Sequence, residues 1–200
     1  MKLPKSVRKN LLSSGHSGRS ITHAFIVPAT LMFILAWLPA QALLARECVK
    51  VVFNRYCLGG ETATDIERLP TPPEVSQNDQ GDTIYRFIED GKTVLLSARN
   101  GITTAITRHE QPGGWINYTA WKVKLVRLYG RGIDLSNFPR YASSRSSRLN
   151  AINAGRGHAE FEWEQPDFKV ALIWDNADFI KLQYLLTSND QSELNNTEGL

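Results

Sequence analysis

The sequence predicts a mainly β fold of about seven antiparallel strands, forming a barrel or a sandwich, with a short N-terminal helix behind an export signal. Three observations lead there. The hairpin dipeptides Asp90-Gly91 and Asn100-Gly101 sit one strand length apart between apolar runs. Ala159 to Glu164 alternates strictly between apolar and acidic residues. The first carboxylate of the chain is Glu47, so the whole leader is free of acids.

That leader, residues 1–42, has the layout of a signal peptide. Lys2, Lys5, Arg8, Lys9 and Arg19 form a basic region, an apolar run follows from Ala24 to Leu38, and Ala40-Gln41-Ala42 after Pro39 offers a peptidase site. Cleavage after Ala42 releases the protein to the periplasm or the exterior. The alternative is an uncut inner-membrane anchor over residues 24–45, which are uncharged and long enough to span. Glu47 ahead of Cys48 argues against a lipoprotein, and Arg8-Lys9 lacks the second arginine of a twin-arginine signal. Without the leader, 18 Lys and Arg face 20 Asp and Glu, so the overall +3 charge does not predict a nucleic-acid partner.

Residues 43–60 read as a helix through Val49, Val52, Phe53 and Tyr56, with Gly59-Gly60 as its stop. Val49, Val51 and Phe53 also allow a strand. The two cysteines bear on the choice: on one helix Cys48 and Cys57 lie about 13.5 Å apart along the axis, whereas a disulfide needs Cα atoms within about 7 Å. Helix and disulfide exclude each other unless the helix ends early, and export favours the disulfide. Residues 61–82, with Pro70, Pro72, Pro73 and six acids against Arg68, read as a surface connector.

The β domain is expected over 83–187. The two turns set Glu89 opposite Lys92, Phe87 opposite Val94, Tyr85 opposite Leu96, then Leu96 opposite Ala105 and Leu95 opposite Ile106. A fourth strand is expected from Trp115 to Leu125, because its β-branched and aromatic content outweighs a helical spacing over 121–129. Residues 131–157 form an Arg- and Ser-rich loop with a flexible core at 143–148 and a helical turn at 148–154. After Ala159 to Glu164, a turn at Pro166-Asp167 sets Trp163 opposite Val170, Phe161 opposite Leu172 and Glu164 opposite Lys169. A last strand covers 179–186, and 188–200 is a polar tail.

The cysteines and histidines show no metal-ligand spacing, and no phosphate loop, nucleophile elbow or other cofactor motif is present. A thiol enzyme would need Cys57 as nucleophile, His109 as base and Asp134 as orienter. Glu160, Glu162 and Glu164 with Asp167 would suit a hydrolase, but they read better as a solvated face paired with Lys122 and Lys124. Arg140, Arg145, Arg148 and Arg156 would bind an anion such as a lipid headgroup or phosphorylated glycan. The plainer reading is that this loop rests on the acidic connector. Trp115, Trp121, Trp163 and Trp174 either pack the core or line a ligand cavity. Together these features predict a non-catalytic binding module whose partner is an anionic envelope component or another envelope protein. The rivals are the Cys57 enzyme and a membrane-anchored structural component.

Overall fold

A computed structural model describes residues 47–187; the leader and the polar tail lie outside the described residues. The elements are β1 (Lys50–Val52), β2 (Tyr56–Leu58), α1 (Thr62–Ile66), β3 (Glu74–Gln77), β4 (Thr83–Glu89), β5 (Lys92–Arg99), β6 (Ile102–Glu110), α2 (Trp115–Tyr129), β7 (Ile133–Asp134), α3 (Arg145–Asn153), β8 (Ala159–Glu164), β9 (Phe168–Trp174) and β10 (Ile180–Leu186). Eight strands form one open antiparallel sheet, β3-β4-β5-β6-β10-β9-β8-β7, and β1-β2 is a separate hairpin. The sheet has two edges, β3 and β7, and does not close into a barrel. Among the described residues no helix is long and apolar enough to cross a membrane.

Both tight hairpins form where the dipeptides place them, with positive φ at Asp90, Gly91, Asn100 and Gly101. The β4–β5 register is as predicted from the turn, and so is β8–β9. The β5–β6 register differs by one residue: Leu96 faces Ile106 and Leu95 faces Thr107. A bulge at Ser97/Ala98 leaves Thr104 without an opposite residue, and its hydroxyl donates to the Ser97 carbonyl at 3.2 Å. The extra residue turns Ile106 into the core, where it is fully buried, in the place expected for Ala105.

Of the segment expected as a helix over 43–60, the described part from residue 47 on forms a hairpin instead, and Cys48 and Cys57 are joined by a disulfide with Cα atoms 5.4 Å apart. Val52, Tyr56 and Leu58 point down onto the sheet and are buried. The backbone bonds Gly59 N to Thr103 O (2.8 Å) and Thr103 N to Gly60 O (3.0 Å) fasten the hairpin to β6. Buried Asp65 of α1 accepts from the Cys57 amide at 2.8 Å; desolvation raises its pKa. The connector is more structured than expected, with α1 and edge strand β3 in it.

The expected fourth strand is instead α2, bracketed by Gly114 (φ 125°) and Gly130 (φ 80°). Topology explains why. Because β6 pairs directly with β10, the chain leaving β6 must reach β7 at the far edge, four strand spacings or about 19 Å away. Fifteen helical residues span about 22 Å. Tyr118 and Leu125 bury one side of α2, with Tyr129 partly buried beside them. Fully buried Trp163 and Trp174 lie in the sheet core, while Trp115 and Trp121 sit on α2, partly buried. The stretch 143–148, expected as a flexible core, leads into α3 at Arg145, where Ser144 and Ser147 form a reciprocal cap.

Candidate functional site

The chain between β6 and α2 turns through Gln111-Pro112-Gly113-Gly114 against the β9–β10 turn, where the Gly113 amide donates to the Asp178 carbonyl at 2.8 Å. Gly113 has no room for a side chain, since a Cβ would collide with the Ala177 carbonyl and lie 2.8 Å from the Phe179 nitrogen. This close approach sets the first turn of α2 beside the first turn of α3. Between them opens a cleft of about 390 Å³, lined among others by Pro112, Trp115, Ile116, Leu149, Trp174 and Arg145. The volume suits a small ligand or one large side chain.

The cleft combines an apolar floor with a positive mouth. Trp115 lies 5.5 Å from the Tyr118 ring and 6.2 Å from Trp174, and the Arg148 guanidinium covers Trp115 at 3.8 Å. Arg148 is held there by a bond from its Nε to the Ala142 carbonyl (3.3 Å). Arg145 is exposed and makes no ion pair among the described residues. Gly114 supplies no side-chain cap, so the first amides of α2 add their dipole to the same mouth. The buried Trp174 Nε1 finds no acceptor among the described residues.

The sequence-predicted site residues separate into different places. Cys57 is tied to Cys48, and the hairpin that carries it covers the face bearing Arg108, whose guanidinium stacks on Phe53 at 3.7 Å. His109, next along β6, therefore projects from the opposite face. Its ring stacks on Phe179 at 4.0 Å; burial, then the Lys181 and Arg86 charges, lower its pKa. Asp134 lies on β7, four strands from β6, bonded to Lys122 Nζ (2.9 Å). Burial tends to raise its pKa, but bonds from Ser136 and Lys122 bring it below the usual carboxylate range. The Cys57–His109–Asp134 constellation is therefore not assembled.

Of the four arginines, Arg145 lines the Trp cleft and Arg148 stacks on Trp115, one of its walls. Arg156 lines a second, polar cleft of about 580 Å³ with His158, Glu160 and Asp175, and Arg140 is exposed. β3 of the connector and β7 of the loop lie at opposite edges of the sheet, and no ion pair joins the two segments among the described residues. The glutamates of β8 pair with Lys169 (Glu162, 2.7 Å) and His158 (Glu160, 3.6 Å), not with Lys122 or Lys124. Among the described residues no cluster of three His, Cys, Asp or Glu side chains could hold a metal ion. Sequence reasoning missed Pro112, Ile116 and Leu149 as cleft residues because it laid 115–125 flat as a strand. Glycines at both ends of that acid-free stretch were the available signal for a helix.

No protein-family model, curated protein or solved structure matches this chain.

Proposed function

We propose that this chain is an exported, non-catalytic binding module of the cell envelope, and that its ligand is an apolar group bearing one carboxylate or similar anion. The cleft between α2 and α3 carries the reading: an indole floor takes the apolar body, and Arg145 with the uncapped start of α2 takes the charge. Export is supported by the layout of residues 1–42 and by a disulfide, which persists in an oxidising compartment.

Decanoate and decanol are suitable probes, since they share a chain and differ in charge. Titrated against the emission of Trp115 and Trp174, decanoate should give a saturable change, with decanol binding more weakly. Arg145→Glu should weaken decanoate by about tenfold or more, the usual range for a hydrogen bond to a charged group, and leave decanol unchanged. No saturable response to either probe, or one indifferent to Arg145, would remove the cleft from consideration.

A further inference from the structure

A surface helix ordinarily turns its apolar side inward and a polar side to water. α2 does not. Its inward side carries Tyr118 and Leu125, yet Ile116 (61% exposed), Val123 (52%), Val126 (40%) and Leu128 (72%) project outward. Ile133, Leu135 and Tyr141, which follow α2 in the chain, are exposed as well. Seven of the ten large hydrophobic residues exposed among those described thus fall between 116 and 141, a concentration that scattered surface residues do not produce.

The same region is strongly basic. Residues 111–159 hold eight Lys and Arg against a single acid, Asp134, which Lys122 already engages. The rest of 47–187 holds nine against sixteen. Lys124 leans on the Trp121 ring at 4.6 Å, and Arg127, Arg131 and Arg140 are exposed without an ion pair among the described residues.

We propose that the outward face of α2 docks on an anionic lipid bilayer surface. A helix lying in the headgroup region needs apolar side chains to enter the acyl boundary, cations to meet the lipid phosphates, and an indole between them; here these are Val123 and Leu128, then Lys124 and Arg127, then Trp121. Charge selects this occupant. A second copy docking face to face would set two layers of like charge against each other, and a nucleic-acid backbone offers nothing to the exposed aliphatic residues. None of Val123, Lys124, Arg127 or Leu128 lines the α2–α3 cleft, so the inference does not rest on the ligand proposed for it.

The test uses the full chain in a Trp37→Phe background, which silences the leader's own tryptophan. Vesicles of phosphatidylcholine with brominated acyl chains, with or without phosphatidylglycerol, report entry of Trp121 through quenching, and Trp121→Phe identifies its share. Quenching of Trp121 is expected with phosphatidylglycerol at low salt, fading at high salt and absent on phosphatidylcholine alone. Lys124→Glu with Arg127→Glu should weaken binding by at least about fivefold for each charge removed, the equivalent of ~1 kcal/mol per basic residue near an anionic leaflet. Val123→Asp with Leu128→Asp should abolish Trp121 quenching. All four residues are exposed, and unchanged thermal unfolding confirms that the variants fold. The proposal is overturned by absent Trp121 quenching on phosphatidylglycerol, or by quenching that survives both double variants. Dimerisation or duplex binding that these variants abolish, on a protein that leaves vesicles unbound, overturns it equally and assigns the face to that partner.

Discussion

Replacing both Cys48 and Cys57 by Ser should destabilise the protein without unfolding it. The crosslink joins residues nine apart, closing a loop of about ten residues, and loop-closure entropy then gives about 9 cal/mol/K, or about 2.7 kcal/mol at 25 °C. The reduced hairpin keeps its own bonds, including Val49 N to Leu58 O at 3.0 Å. It also keeps Val52, Tyr56 and Leu58 buried on the sheet, so the native state survives and the loss is expected to arise in the unfolded chain. With an unfolding entropy of about 2 cal/mol/K per residue over the described domain, the melting temperature should fall by about 9 °C. Paired calorimetry and urea titration of the two proteins measure this. Thiol titration supplies the control: the wild type should expose no reactive thiol until reductant is added. A loss below about 0.5 kcal/mol would refute the entropic argument. Native labelling of Cys57 without reductant would refute the disulfide itself.

Two further outcomes test the scaffold around the cleft. Gly113→Ala should cost about 1–3 kcal/mol, the range for forced overpacking, because the colliding atoms belong to the Ala177–Phe179 backbone and cannot rotate away; an unchanged urea midpoint would show that α2 starts elsewhere. His109 gives a pH signature: burial lowers its folded pKa, so the unfolded chain takes the proton first, and stability should decline as pH falls below about 6.5 toward the folded value and stay level above it. His109→Phe, which retains the stack on Phe179, should flatten that decline when urea midpoints are compared across the range.

What could be read from the sequence was what local chemistry decides. A two-residue turn fixes the pairing on both sides of it, so β4–β5 followed from Asp90-Gly91 and β8–β9 from the Pro166-Asp167 turn. The same logic failed on β5–β6 because the bulge at Thr104 carries no turn residue to announce it. At 50–58 two overlapping apolar sets compete, Val49, Val52, Phe53 and Tyr56 at the helical period and Val49, Val51 and Phe53 at the strand period, and the deciding constraint, the disulfide, lies outside periodicity altogether. Arg145 and Trp115 were both singled out, yet their meeting in one cleft depends on α2 and α3 being helices side by side, which pairwise strand reasoning cannot supply.

The residues of α2 show why propensity lost there. Trp, Tyr, Ile, Thr and Val suit a strand, but a strand at 115–125 would need a neighbour to pair with, and β6 has already used both of its edges on β5 and β10. The chain had to cross the sheet to reach β7, and only a helix both bonds its own backbone and covers the sheet on the way. That crossing also sorts the charge. Counted over 47–187, Lys and Arg balance Asp and Glu, and so near-neutral a total gives no hint of a partner. Split at the boundaries of the crossing, the same residues give a basic segment with exposed aliphatic side chains and an acidic remainder. Net charge is blind to this because it sums over the fold, whereas an approaching surface meets one side of it.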